Sequence, residues 1–87
     1  MRLFKTYNHD TPKLLLEFAD YGQAWKAVTK DLQEGQVDFL KIEIIMIDGQ
    51  IRDENKGMFA LFAEMKAGRA ISFTDEYGYT VTYTIRN

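Results

Sequence analysis

The chain has no cysteine, one proline (Pro12), one histidine (His9) and one serine (Ser72). Each scarcity removes a class of chemistry. Without cysteine there is no disulfide framework, no thiolate metal site and no cysteine nucleophile. His9 lies in the turn-forming run Asn8-His9-Asp10-Thr11-Pro12, far short of the three or four ligands a zinc site requires. Ser72 stands in an alternating strand pattern with no nucleophile-elbow motif around it, so a serine hydrolase triad is not expected. The six glycines are scattered, and none belongs to a Gly-rich loop that would cradle phosphate ahead of a helix. Asp48, Asp53 and Glu54 do not follow the alternating spacing of a calcium loop. Asp75 and Glu76 are adjacent carboxylates in a turn, where solvent is their ordinary partner. The expectation is a protein with no catalytic residue, no metal, no cofactor and no enzymatic activity.

A surplus of positive charge is also missing. Eleven Lys and Arg stand against thirteen Asp and Glu, a formal net charge of -2. That balance disfavours a strongly basic nucleic-acid or membrane binder, because phosphate neutralisation supplies much of nucleic-acid affinity. The longest apolar run, Ile44-Ile45-Met46-Ile47, is far shorter than the roughly 20 residues needed to span a bilayer. Met1-Arg2-Leu3-Phe4-Lys5 is not the apolar core of a signal peptide. A cytoplasmic setting is therefore expected.

What is present is core material. Hydrophobic residues make up 46% of 87 residues, including six Phe, five Tyr and one Trp. Each aromatic side chain can bury about 150–250 Å², enough for one packed domain spanning 1–87 but leaving little room for a deep ligand cleft.

Periodicity assigns the elements. Residues 1–7 and 13–18 alternate as strands, with the Asn8–Pro12 turn between them. Asp20 opens a helix, with Gln23 three residues later in a capping-box pattern. Tyr21, Ala24, Trp25, Val28 and Leu32 form its apolar stripe, and Gly35 offers a left-handed stop. Residues 39–47 alternate as a strand, and Asp48-Gly49 is a two-residue hairpin turn from which Gln50-Ile51-Arg52 can pair back. A second helix is expected over 54–67, with Met58, Leu61, Phe62 and Met65 facing inward. The last twenty residues form a hairpin turning at Asp75-Glu76-Tyr77-Gly78. The order β-β-α-β-α-β-β predicts an α+β two-layer sandwich: a mostly antiparallel sheet of about five strands with two helices packed on one face.

Parity then separates the faces. Ile71, Phe73, Tyr79, Val81, Tyr83 and Ile85 are assigned under the helices, together with Leu40, Ile42, Ile44 and Met46. The opposite face should carry Thr80, Thr82, Thr84 and Arg86. It should also carry Phe4, Leu15, Phe39, Ile45 and Ile47, rimmed by Lys41, Glu43 and Glu17. An apolar patch within a polar rim has the anatomy of an interface. Phe4, Leu15, Phe39, Lys41, Glu43, Ile45 and Ile47 are thus the candidate partner-binding residues. The occupant would be a protein partner or a second copy of the chain, at this face or at a free sheet edge. On this assignment Ile45→Lys weakens association without unfolding the domain. The expected role is a regulator, inhibitor or subunit, of the kind a phage or mobile element encodes against a host protein. The alternative is single-stranded nucleic-acid binding on the open face, with Arg2, Lys13, Lys41 and Arg86 as its cations.

Overall fold

The computed structural model describes residues 1–52 and 66–87. Alternating side chains fold into one six-stranded sheet: β1 (Arg2–Tyr7), β2 (Lys13–Glu17), β3 (Ile42–Ile47), β4 (Gln50–Arg52), β5 (Ala70–Asp75) and β6 (Thr80–Arg86). The spatial order is β2-β1-β6-β5-β3-β4, and every neighbouring pair is antiparallel. The first and last strands lie side by side, in register from Arg2↔Arg86 to Tyr7↔Val81. The sheet thus has one strand more than the sequence analysis expects. Gln50–Arg52 is a strand of its own because Asp48 (φ 51°) and Gly49 (φ 79°) close the tight turn that sets Ile47 opposite Gln50.

The helix α1 (Tyr21–Glu34) begins where the cap chemistry requires. The Asp20 side chain accepts from the Gly22 N–H at 2.5 Å, and Gln23 Oε1 accepts from the Ala19 N–H at 3.3 Å. Ala24, Val28 and Leu32 are its buried stripe, with Tyr21 and Trp25 half-buried beside them. Gly35 ends α1 in an extended conformation (φ -84°), not the left-handed one expected. Glycine is needed there for closeness instead: a Cβ would stand 2.5 Å from the Asp31 carbonyl oxygen. Most of the second helix expected over 54–67 lies outside the described residues.

Ala24, Val28 and Leu32 join Leu3, Ile45, Ile47, Ile71, Phe73, Val81, Tyr83 and Ile85 in one buried cluster. This defines the buried face of the sheet. Burial of each such large side chain contributes about 1.5–3 kcal/mol, and Phe73 meets Tyr83 edge-on with ring centroids 6.1 Å apart. No helix among the described residues is long and apolar enough to cross a membrane.

Ile45 and Ile47 are corrected by this arrangement. They are 5% and 1% exposed and face the core, not the open face. The cause is a register shift between Ile42 and Ile44. Ile42 pairs with the buried Asp75, whereas Ile44 pairs with Thr74 on the other face. A bulge at Glu43 therefore breaks the alternation, and the exposure of Glu43 says nothing about Ile45. Phe39 and Lys41 are likewise not strand residues. They begin and end a single 3-10 turn, Phe39–Lys41, capped by Asp38, whose side chain accepts from the Leu40 N–H.

A second shift, between Leu3 and Phe4, does the same to β2. Leu16 opposes Leu3 and turns toward the core, while Leu14 opposes Phe4 on the open face. Leu15, expected on the open face, instead borders a recess with Ala27, Lys30, Asp31 and Glu34 of α1.

Candidate functional site

The open face is built in rows across the strands. Thr6, Thr82, Ser72, Met46 and Ile51 form the central row through successive pairings. Thr80, Thr74 and Ile44 form the next. Leu14, Phe4, Thr84 and Ala70 form the row on the other side. Hydroxyls bond across strands, Ser72 Oγ to Thr82 Oγ1 at 2.9 Å and Thr74 Oγ1 to Thr80 Oγ1 at 2.8 Å. These pairs stiffen a flat polar strip down the middle of the face.

The apolar residues flank that strip. At one margin Met46 lies directly opposite Ile51, with Ile44 two residues back on the same strand and face. Ile51 is 73% exposed, Ile44 37%. At the other margin Leu14 is exposed beside half-buried Phe4. The Phe4 ring is flanked by two guanidinium groups, Arg2 at 5.7 Å and Arg86 at 5.6 Å. These arginines face each other across β1 and β6, and among the described residues no Asp or Glu pairs with either.

The seven residues expected to form one patch do not come together. Phe4 is on the open face as expected, but β6 and β5 separate its strand from β3. Leu15 is beside α1, Ile45 and Ile47 are in the core, and Phe39 is half-buried against the core. Glu43 is exposed at the bulge of β3. Lys41 is exposed too, and its Nζ donates to Tyr77 Oη at 2.6 Å and pairs with Glu76 at 2.9 Å. Those partners hold the ammonium charged well beyond its ordinary range, the Tyr77 bond first, and Lys41 in turn holds the Glu76 carboxyl below its usual range. Lys13 opposes Lys5 on the α1 side. Lys13 and Lys41 therefore add no charge to the open face.

Residues absent from the expected patch are Leu14, Ile44, Met46 and Ile51. Ile51 was legible: an Asp-Gly turn with Ile47 opposite Gln50 sets Ile51 against Met46. A further exposed group stands where the β5–β6 turn meets the 3-10 turn. Leu40 is 89% exposed, and with Tyr77 and Tyr79 it borders a shallow concavity of about 680 Å³. Tyr79, expected under the helices, is instead half-exposed against Tyr7, ring centroids 6.2 Å apart.

Two carboxylates deserve a chemical reading. Asp75 is buried, and its Oδ1 accepts from the Tyr77 and Tyr79 N–H groups while Oδ2 accepts from the Asp38 N–H. Burial works to raise its pKa, but these backbone donors outweigh it and hold the carboxyl below its usual range. Asp31 accepts from Tyr83 Oη and from Lys5 Nζ. Burial first, then the bond to Asp31, pushes the Tyr83 hydroxyl far above its ordinary pKa. Both groups are saturated by structural partners. Asp75 ties the β5–β6 turn to the 3-10 turn, and Asp31 ties α1 to the sheet. Among the described residues no three His, Asp or Glu side chains gather as metal ligands would.

Comparison of the chain with family models, with curated proteins and with solved structures finds no match.

Proposed function

We propose that this chain is a small non-catalytic domain that binds a protein partner through the open face of its sheet, at the β3–β4 margin. The observation that carries this reading is the contiguous apolar group of exposed Ile44 and Ile51 with half-buried Met46, on the sheet face opposite α1 and beside a row of hydroxyls. Large aliphatic side chains next to a hydroxyl strip supply both parts of a docking surface: area to remove from water and donors to satisfy at its rim. The saturated carboxylates favour a structural over a catalytic use of the acidic residues. The reading takes residues 1–87 as one cytoplasmic domain of two layers, with helices on the buried side. A regulator, inhibitor or subunit, including an antagonist carried by a phage or mobile element, is the role that suits it.

The test is Ile51→Lys, a change at an exposed edge residue that leaves the core untouched. Tagged wild type and variant are used for affinity capture from the native host, with quantitative mass spectrometry and circular dichroism of both proteins. A partner retained by the wild type should fall about tenfold with the folded variant, as truncation of a central interface residue does. Identical retention by both proteins refutes the face.

A second reading has its own observation. Arg2 and Arg86 flank Phe4 on the same open face, close to Thr84. Cations beside an aromatic ring suit single-stranded nucleic acid. It predicts binding of a labelled oligo-dT that weakens steeply with added salt and is lost in Arg2→Ala/Arg86→Ala.

A further inference from the structure

We propose that the concavity between the 3-10 turn and the β5–β6 turn holds an arginine side chain of a partner protein. Its rim is apolar and aromatic, and its charge is negative. None of its lining residues belongs to the Ile44, Met46 and Ile51 group, so the inference stands apart from the open-face reading.

Two tight turns build this hollow. Asp38 caps the 3-10 turn by accepting from the Leu40 N–H, and Asp75 accepts from the Asp38, Tyr77 and Tyr79 N–H groups. Those bonds tie exposed Leu40, Tyr77 and Tyr79 to one rim. The volume of about 680 Å³ falls among sites that hold a ligand group, about 300–1,000 Å³. Leucine and tyrosine around a hollow supply area to remove from water, and a tyrosine face attracts cations through its quadrupole. Tyr77 already shows this, with Lys41 Nζ 5.0 Å from its ring centroid. The Tyr79 ring has no cation against it among the described residues.

Charge decides the occupant. Asp38 and Asp75 line the hollow, and no Lys or Arg does. Neither carboxylate has an ion-pair partner among the described residues. The donors on Asp75 are backbone dipoles, which keep it ionised at neutral pH without cancelling its charge. Asp38 Oδ1 takes the Leu40 N–H, while Oδ2 accepts no bond from the described residues. α1 ends beside the same hollow at Gln33 and Gly35, with no basic residue in its last turn. The negative end of the helix dipole therefore adds to the two carboxylates. Lys41, next to Leu40, is spent on Glu76 at 2.9 Å.

A guanidinium group answers these features together. It is weakly hydrated, stacks on tyrosine and offers a planar fork of N–H donors to a carboxylate, whereas an ammonium is compact and strongly hydrated. An anionic segment would meet Asp38, Asp75 and the α1 carbonyl end with no cation to oppose them. Arginine is also among the residues that anchor protein interfaces from within a pocket. The arrangement sets the guanidinium on the Tyr79 ring with its fork toward Asp38 Oδ2, and an aliphatic neighbour of the arginine against Leu40.

Heteronuclear correlation spectra of the isotope-labelled chain, titrated with two peptides, test this. One is acetyl-Ala-Leu-Arg-Leu-Ala-amide. The other carries citrulline in place of the arginine, which keeps the shape and removes the charge. The arginine peptide should shift the Gly35, Val37, Leu40 and Tyr79 amides saturably. The citrulline peptide should bind about tenfold more weakly, the difference between a charged and a neutral hydrogen bond. Asp38→Asn, whose amide oxygen still caps the 3-10 turn, should weaken the arginine peptide about tenfold and leave the citrulline peptide unchanged. Tyr79→Ala should weaken the arginine peptide about threefold. Ile51→Lys should alter neither. Equal binding of the two peptides by the wild type overturns the proposal. So does tighter binding of a peptide with glutamate at the central place, or no shift at about 5 mM arginine peptide. Movement of the same amides with protein concentration alone also overturns it, since the occupant would then be a second copy. The open-face reading survives each of these outcomes, because partner capture with Ile51→Lys tests it separately.

Discussion

Asp75 shows how one side chain decides the join between two loops. Its two oxygens take three backbone N–H groups, from Asp38, Tyr77 and Tyr79, and this set depresses its pKa against the opposing effect of burial. An acid whose folded pKa lies below its unfolded value of about 3.9 stabilises the fold above that value and loses the contribution as pH falls through the folded pKa. Wild type should therefore be more stable to urea than Asp75→Asn at pH 7, because the amide turns a donor toward an N–H. That advantage should shrink steadily below about pH 4. Urea titrations of both proteins from pH 7 to pH 2.5 measure it, and a constant gap would remove Asp75 from the account. Tyr83 sets the opposite limit at the alkaline end: its hydroxyl, buried on Asp31, stays protonated in the fold at pH values where the unfolded chain ionises.

At the scale of the element, β3 carries the sharpest test. Ile44 and Ile45 are adjacent isoleucines in one strand, yet Ile44 looks out beside Thr74 and Ile45 looks in beside Phe73. Ile45→Lys places an ammonium in the core and should cost about 3 kcal/mol or more. Ile44→Lys should change stability by about 0.5 kcal/mol or less. Thermal melts of the two variants read the outcome, and equal losses would mean that the bulge at Glu43 is misplaced. The α1 boundary, its buried stripe and the Asp48-Gly49 turn were all legible from residue type, because caps, helical spacing and left-handed turn residues act locally. The faces of β2 and β3 were not. Both strands are apolar at odd and even positions alike, so alternation cannot choose a face, and each bulge is set by the neighbouring strand.

For the whole molecule, the governing quantities are a small net charge and two sheet edges. A chain with pI near 5.3 loses its mutual repulsion close to that pH, where exposed Leu14, Leu40 and Ile51 are free to associate. Light scattering across pH 4 to 9 should show a maximum near pH 5.3, lowered in Ile51→Lys. A flat profile would mean that these side chains do not drive association. The sequence by itself determined the antiparallel α+β character, the helix α1, the turns and the apolar content of the core, since each follows from propensities acting over a few residues. The strand order, the burial of Ile45 and Ile47, and the placement of Ile44 and Met46 on the open face emerge only in the tertiary structure. Those depend on which strands become neighbours and where their registers slip, and a register is a property of two strands together.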